Sequence, residues 1–291
     1  MKKLMNYEKV VKNIRSELKI YIKDNNIKSL VLGISGGIDS ALCAVLAKPV
    51  CNELGIKLIG RSLPTISNKS EENKRAEQIG KLFCTDFEEI SIQSEFVALA
   101  YLVYENDDGH GHPHGDQRAI KNGNIKARIR MIYLYDIASR KKGMVLSTDN
   151  YTEYLLGFWT LHGDVGDYGM IQNLWKTEVY DMAWWFMEND DDMTVNQAES
   201  LLKCIEADAT DGLGITNSDL DQIMPEWEGN SRDGYKEVDK ILQKFIAPIN
   251  HITDDIKDWD KLEKTPVIQR LLKTEFKRKN PYNIPRKILE I

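Results

Sequence analysis

The stretch that decides the fold reads Ser29-Leu30-Val31-Leu32-Gly33-Ile34, followed by Ser35-Gly36-Gly37-Ile38-Asp39-Ser40. Its first half is a short, continuous apolar run, which is typical of a strand buried on both faces of a parallel sheet. Its second half is a polar, glycine-rich turn. An apolar-periodic stretch from Ala41 to Leu54 comes next and predicts a helix, which Gly55 is suited to cap. These residues therefore predict a strand–turn–helix unit.

The same alternation continues on both sides of this unit. Apolar runs typical of strands cover 56–63, 87–92 and 144–146, and helical periodicity covers 5–25, 71–83 and 125–140. Strands that alternate with helices indicate a parallel sheet built from βαβ units. We therefore expect an α/β fold in which helices cover both faces of a parallel sheet.

The second half of the chain is expected to be mostly helical. Helical patterns cover 174–188, 194–204 and 232–246. The first of these is rich in Trp, Tyr and Phe, which favours packing in the core or at a subunit contact over stacking on a ligand.

Two segments interrupt the pattern, and we expect both to be loops that are mobile in the free protein. They cover 104–124 and 205–231 and are rich in Gly, Asn and Asp. The first contains His110, His112 and His114. Three imidazoles can bind a transition metal, but no partner motif accompanies them, so we interpret them as part of a solvated loop.

The composition excludes several classes of protein. With 291 residues, 42% hydrophobic and 29% charged, the chain is globular and not disordered. The net charge of -6 argues against a general nucleic-acid-binding protein. The four cysteines form no CxxC pair, which argues against a zinc ribbon or a thioredoxin-type site. No apolar run suggests a membrane span or a signal peptide, so we expect a cytoplasmic location.

The glycine-rich turn is suited to bind phosphate. Glycines allow the backbone to approach a ligand closely, and the N–H groups at the start of the following helix attract anions. Asp39 would oppose a phosphate unless it held a divalent cation that bridges the phosphate oxygens. The alternative is a tight turn with an ordinary capping aspartate. Neither a Walker motif nor a GxGxxG dinucleotide motif is present.

The turn resembles the SGGxDS loop of ATP-using ligases that release pyrophosphate, and further blocks resemble one family among them, the NAD synthetases. The blocks are 123–131 (GNIKARIRM), 146–153 (LSTDNYTE), 157–164 (GFWTLHGD), 174–179 (LWKTEV), 210–222 (TDGLG…SDLDQ) and 270–281 (R…TEFKR…P). The resemblance implies a Rossmann-like fold of the adenine nucleotide alpha hydrolase type. It also implies one NAD synthetase domain over 1–291, in which 1–188 form a nucleotide-binding core and 189–291 a mostly helical part with a mobile loop.

The resemblance implies an ATP-dependent amidation of deamido-NAD. The nicotinate carboxylate would be adenylated with release of pyrophosphate, and ammonia would then displace AMP to give NAD. We expect free ammonia, or ammonia from a separate subunit, as the nitrogen source, because the phosphate loop begins at residue 33 and leaves no room before it for an amidase domain. The resemblance further implies a homodimer and no nucleic-acid or membrane partner.

The resemblance also implies roles for individual residues. ATP would be bound by the loop (Gly33, Ile34, Ser35, Gly36, Gly37, Ile38, Asp39 and Ser40) and by Thr148, Lys176 and Thr210. Asp39 and Glu153 would bind Mg²⁺, and Asp164 and Lys176 would be catalytic. Deamido-NAD would be bound by Arg128, Asp167, Phe276 and Lys277.

The chain departs from the family pattern at two substrate positions. Leu161 stands where the family often has Lys, and Phe276 stands where it has His. Two alternatives share the loop: a tRNA-modifying adenylating enzyme and a nucleotide-binding protein without activity. The acidic charge and the blocks at 123–131 and 146–153 argue against the first, and the retained Asp39 and Glu153 argue against the second.

Overall fold

A central sheet of five strands organises the chain. The computed structural model describes residues 5–105, 116–210, 218–247, 256–281 and 283–284. The strands are β1 Ser29–Gly33, β2 Lys57–Ser62, β3 Asp86–Glu89, β4 Gly143–Ser147 and β5 Tyr168–Gly169. All neighbours pair in parallel, in the order β3-β2-β1-β4-β5.

Helices connect the strands and make up most of the remaining described residues. Those before β4 are α1 Tyr7–Asp24, α2 Ile38–Leu54, α3 Ser70–Phe83, α4 Gln93–Glu105 and α5 Asp116–Lys141. The later helices are α6 Tyr151–Leu156, α7 Lys176–Asn189, α8 Val195–Glu206, α9 Leu220–Ile223, α10 Ser231–Ile246, α11 Ile256–Glu263, α12 Pro266–Lys273 and α13 Glu275–Arg278.

The central strand β1 is buried on both faces, as its apolar run predicts. Leu30 and Leu32 belong to the large hydrophobic cluster that also contains residues of α1, α2 and α7. Val31 points the other way, because side chains alternate along a strand, and it packs with Ile137 and Ala138 of α5. The expected parallel sheet with helices on both faces is therefore confirmed.

The glycine-rich turn joins β1 to α2 as expected. The helix α2 is buried around most of its circumference, and Gly55 ends it in the left-handed conformation at φ 64°. The turn consequently lies at the carboxyl end of the sheet, directly before the N-terminus of a buried helix. That arrangement points the free N–H groups of the first helical turn at the edge of the sheet where ligands bind in such folds.

The loop expected over 104–124 is wrong for residues 104, 105 and 116–124, because α4 extends to Glu105 and α5 begins at Asp116. Tertiary partners satisfy the polar side chains that suggested a loop. Tyr104 donates a hydrogen bond to Asn122 Oδ1 at 2.6 Å, and Thr160 donates one to Asn124 Oδ1 at 2.9 Å. The helix α4 was not expected at all. The three histidines at 110, 112 and 114 lie outside the described residues.

The C-terminal helices pack onto the same core as the sheet. Tyr180 and Phe186 of α7 are fully buried, which confirms core packing for these members of the aromatic helix. The large cluster reaches from Val11 of α1 to Leu242 of α10 and Leu271 of α12. The single domain over 1–291 stays a prediction. In the described part of the chain, no helix is long and apolar enough to cross a membrane.

The turn requires glycine at position 36. Gly36 has φ +82°, and a Cβ there would lie 2.3 Å from the backbone oxygen of Glu72. Gly55 has a similar φ of +64° but no atom within 4 Å of an added Cβ. We expect Gly36→Ala to lower the free energy of unfolding by at least about 1 kcal/mol more than Gly55→Ala, which carries only the conformational cost of about 1–2 kcal/mol. Urea denaturation measures both, and equal losses would contradict the close contact.

Candidate active site

A cleft opens at the carboxyl ends of β1, β2 and β4. The strand order reverses between β1 and β4, and ligands bind in α/β sheets at such a switch point. Described residues that line the cleft include Gly33, Ile34, Ser35, Gly37, Ile38, Asp39, Ser40, Arg61, Glu72, Arg75, Arg130, Thr148, Asp149, Glu153, Asp164, Lys176, Asp208, Thr210 and Asp219. The cleft therefore gathers most of the residues that the sequence assigned to ATP, Mg²⁺ and catalysis.

Internal hydrogen bonds fix the glycine-rich loop. The hydroxyl oxygens of Ser35 and Ser40 lie 3.1 Å apart, and the N–H of Gly37 donates to Ser35 Oγ at 3.2 Å. Arg75 of α3 donates from Nε to the carbonyl oxygen of Gly36 at 2.9 Å. Gly36 itself faces away from the cleft and packs against α3. The loop thus presents hydroxyls and N–H groups on a rigid frame.

Three charged side chains converge beside this loop. Lys176 Nζ lies 2.5 Å from Asp39 Oδ2 and 2.9 Å from Glu153 Oε1. The Lys176 side chain is only 2% exposed. Burial alone would lower the pKa of Lys176, but the charges of Asp39 and Glu153 outweigh it and hold that pKa well above its usual value. Burial and the charge of Asp39 raise the pKa of Glu153 to about 7, against the opposing effect of Lys176.

The convergence of Asp39 and Glu153 fits a Mg²⁺ site. Both offer hard carboxylate oxygens, and one oxygen of each already points at a common cation, the ammonium of Lys176. No group of three or more Asp, Glu, His or Cys that could hold a metal occurs among the described residues. A full protein cage is not needed, since Mg²⁺ is usually bound by one or two carboxylates together with substrate phosphates and water.

Of the further carboxylates that line the cleft, Asp164 was expected and Asp149 was not. Asp164 accepts a hydrogen bond from the backbone N–H of Thr160 at 2.6 Å, and burial raises its pKa despite that bond. Its side chain nevertheless opens into the cleft. Asp149, which the sequence did not single out, is 7% exposed and accepts from Ser147 Oγ at 3.0 Å. Burial, the charge of Asp164 and that of Glu153 raise the pKa of Asp149 well above its usual value.

Three arginines line the cleft and were missed. Arg61, Arg75 and Arg130 follow no local motif that marks them, although Arg130 lies in the block that drew attention to Arg128. Arg130 donates to the carbonyl oxygen of Leu63 at 3.0 Å and lines the cleft. Arg128 points elsewhere, because side chains two apart on a helix diverge, and it donates to the carbonyl oxygen of Leu161 at 3.1 Å.

The two predicted threonines lie at the cleft. Thr148 follows β4, and Thr210 donates from Oγ1 to Glu72 Oε1 at 3.2 Å. Residues 211–217, which contain most of the expected mobile loop's glycines, lie outside the described residues. Of the longer segment predicted over 205–231, the described part holds the end of α8 and the short helix α9.

The residues assigned to deamido-NAD do not line this cleft. Asp167 accepts hydrogen bonds from Tyr135 Oη at 3.0 Å and from the N–H of Val145 at 2.9 Å. Lys277 donates to the carbonyl oxygens of Gly157, at 2.7 Å, and of Trp159.

Phe276 is 59% exposed, and Arg128 lies at the surface beside Leu161. Burial and the charge of Arg270 lower the pKa of Lys277. The roles of Arg128, Asp167, Phe276 and Lys277 therefore stay predictions.

Comparison with solved structures finds the same fold. NMN synthetase from Francisella tularensis superposes with a TM-score of 0.72 at 21% identity, covering 96% of this chain and 99% of that protein. The NH3-dependent NAD synthetase from Campylobacter jejuni gives a TM-score of 0.65 at 23% identity, covering 97% of this chain and all of the other.

Sequence relatives and a family model carry the comparison further. The NH(3)-dependent NAD(+) synthetase of Thermococcus sibiricus is 30% identical over 280 residues, which cover 95% of this chain and 97% of the relative. That of Finegoldia magna is 32% identical over 249 residues, or 85% and 94%. The model of the NAD synthase family matches residues 10–281, which span the sheet, the glycine-rich loop and the cleft, and the chain therefore belongs to the NAD synthase family.

Proposed function

We propose that this chain is an ammonia-dependent NAD synthetase, a ligase that amidates deamido-NAD with ATP. The observation that carries the proposal is the convergence of Asp39, Glu153 and Lys176 beside the glycine-rich loop. That arrangement suits a nucleoside triphosphate in which the bond between the α- and β-phosphates is to be broken. The proposed nitrogen source is free ammonia, since the relatives from Thermococcus sibiricus and Finegoldia magna are NH(3)-dependent synthetases.

The first step is adenylation of the nicotinate carboxylate. A carboxylate oxygen attacks the α-phosphorus of ATP, the bond to the β-phosphate oxygen breaks, and pyrophosphate leaves. The loop N–H groups with Ser35 and Ser40 hold the phosphates, and the ammonium of Lys176 offsets the charge that develops on them. Mg²⁺ held by Asp39 and Glu153 would add positive charge at the same oxygens.

The second step forms the amide. Ammonia attacks the activated carbonyl carbon, AMP leaves with the bonding electrons, and one proton is lost from nitrogen. Asp164 is the proposed acceptor of that proton, because its carboxylate opens into the cleft near the loop. Asp149 lines the same cleft, and because its pKa is raised well above the usual value, it is a further group that can hold a proton there.

The overall activity is tested with ATP, Mg²⁺, deamido-NAD and ammonium. We expect AMP and NAD to form in equal amounts, and we expect Asp39→Ala to lower the rate by about 100-fold or more because it removes a proposed Mg²⁺ ligand and one partner of Lys176. Asp24→Ala, on the surface at the end of α1, is the matched control and should behave as wild type. Folded protein that forms no AMP with any combination of these substrates would contradict the proposal.

Asp164→Asn separates the two steps. We expect NAD formation to fall by about 100-fold, as for loss of a positioned base, while pyrophosphate release in the first turnover keeps a rate near that of wild type. Quenched-flow measurement of pyrophosphate and NAD in one turnover distinguishes them. If the rates of pyrophosphate and NAD formation fall equally, Asp164 serves adenylation or structure, and its assignment to ammonia is wrong.

A second candidate function is amidation of nicotinate mononucleotide, which is deamido-NAD without its AMP half. Two observations favour it. None of the four residues assigned to deamido-NAD lines the cleft, and the position where the family often has Lys holds the uncharged Leu161. The fold comparison with the NMN synthetase is consistent with it. A kcat/KM for nicotinate mononucleotide at least ten-fold above that for deamido-NAD would establish this alternative, and the reverse ratio would exclude it.

We also propose that the chain forms a homodimer through α4 and α5. Several of the large apolar side chains exposed in the described residues lie on these two helices, namely Val97, Tyr101, Leu102, Val103, Ile120 and Ile132, which are 46% to 64% exposed. Exposed apolar patches of this kind mark interaction surfaces. The aromatic helix α7 is a weaker candidate, because Tyr180 and Phe186 are buried within the chain.

Val97→Asp tests the dimer. We expect this charge to shift the chain from dimer to monomer in light scattering after gel filtration, because an unpaired carboxylate would be buried at the contact. Val195→Asp is the matched control, since Val195 is 72% exposed at the start of α8 and lies away from α4 and α5. If the Val97→Asp protein is still a dimer, the dimer contact lies outside α4 and α5.

A further inference from the structure

A buried asparagine joins the two carboxylates that the proposed function assigns to Mg²⁺. Asn150 is 0% exposed and stands at the N-cap of α6, three residues before Glu153. Nothing in the sequence marks it beyond its place in the block at 146–153. Its contacts, however, reach both Asp39 of α2 and Glu153 of α6.

Each polar group of Asn150 has a defined partner. Its side-chain oxygen accepts from the N–H of Glu153 at 3.0 Å, and its own backbone N–H donates to Glu153 Oε2 at 3.3 Å. Its side-chain nitrogen donates to Asp39 Oδ1 at 2.8 Å. The remaining oxygens, Asp39 Oδ2 and Glu153 Oε1, are those that meet Lys176. Asp39 and Glu153 therefore each place one oxygen on Asn150 and the other on the ammonium of Lys176.

The contacts of Asn150 hold two carboxylates that repel each other. Asp39 and Glu153 come from different helices and repel each other, so their separation depends on groups that bridge them. Lys176 bridges them by charge, but its ammonium is also the cation proposed to offset the charge on the phosphates. Asn150 holds the same two carboxylates without charge, because its side-chain nitrogen donates to Asp39 and its backbone N–H donates to Glu153. It therefore does not cancel the negative charge that a metal ion needs. In a dry site such a hydrogen bond is strong and directional.

We propose that Asn150 is a positioning residue, which sets the separation and orientation of Asp39 and Glu153 for a divalent cation. The inference rests on the proposed function, because that function assigns the two carboxylates to the metal. Asn150 does not touch the cation; it acts through the oxygens on the far side of each ligand. Groups of this kind tune metal affinity by about 10- to 100-fold.

Two substitutions separate positioning from helix capping. Asn150→Ser keeps an oxygen that can accept from the N–H of Glu153, because serine is a good N-cap, but it is too short to reach Asp39. Asn150→Ala loses both contacts.

The matched control is Asn230→Ala at the exposed N-cap of α10. Asn230 likewise accepts from the backbone N–H of Asp233 at 2.9 Å and donates to its carboxylate at 2.9 Å. It therefore reports the cost of losing such a cap away from the cleft.

The experiment measures Mn²⁺ binding by electron paramagnetic resonance, in full-length protein with the α,β-methylene analogue of ATP, which cannot be cleaved at the reacting bond. Asp39→Ala gives the affinity when one ligand is missing. We expect Asn150→Ser to weaken Mn²⁺ binding by about ten-fold or more while its melting temperature stays near wild type. We expect its AMP formation to recover at high Mg²⁺, so that the metal's activation constant rises and kcat changes little.

The outcomes separate this inference from the proposed function. If Asn150→Ser binds Mn²⁺ as wild type does, or if Asn150→Ala and Asn230→Ala both lose only stability, Asn150 is an ordinary cap and the inference is wrong. If wild type and Asp39→Ala bind Mn²⁺ equally, the assignment of the metal to Asp39 fails, and the inference fails with it. Weaker binding in Asn150→Ser, with Asn230→Ala unchanged, supports it.

Discussion

The buried ammonium of Lys176 between Asp39 and Glu153 is the interaction on which the rest of the site depends. The side chain is 2% exposed, so its charge is almost entirely removed from solvent. Breaking a buried ion pair by removing one partner costs about 3–5 kcal/mol, because the other charge is left uncompensated. The fold must therefore hold three elements, α2, α6 and α7, in fixed relation. The strand order makes this possible, because α2 follows β1 and α6 follows its neighbour β4.

The C-terminal half contributes to that fixation through a carboxylate that is not among the described residues lining the cleft. Asp239 of α10 is 2% exposed. One of its oxygens accepts from Thr152 Oγ1 at 2.6 Å and the other from the N–H of Thr177 at 2.9 Å. Thr152 Oγ1 in turn accepts from the N–H of Lys176 at 2.9 Å. Asp239 thus holds the first turns of α6 and α7 together, next to Glu153 and Lys176. The helical part beyond 189 consequently supports the site from behind.

Local patterns predicted the parts of the structure that local forces determine. The apolar run at 29–34 and the glycines at 36 and 37 predicted a buried strand and a turn, because burial and positive φ act on single residues. The helix over 116–124 could not be predicted in that way, since Asn122 and Asn124 favour loops until Tyr104 and Thr160 satisfy their amides. Local propensity gave way there to tertiary contacts.

The same division applies to the candidate site. Asp39, Glu153 and Lys176 could be assigned because they lie in recognisable blocks. Arg75 lies in no such block, and Asn150 lies in one but was given no role, since the contacts of both reach partners far along the chain. Arg75 reaches Gly36 from α3, and Asn150 reaches Asp39 from α6. Residue type alone does not distinguish such a side chain from a solvated arginine or an ordinary helix cap.

The charge of the cleft explains why one site can serve both steps. Its described lining contains seven carboxylates, those of Asp39, Glu72, Asp149, Glu153, Asp164, Asp208 and Asp219, against the four cations Arg61, Arg75, Arg130 and Lys176. A triphosphate would therefore gain from added positive charge in this cleft, which the proposed Mg²⁺ at Asp39 and Glu153 would supply. Departure of pyrophosphate would take negative charge away from the cleft. In the proposed second step, the carboxylates that remain ionised would then favour ammonium.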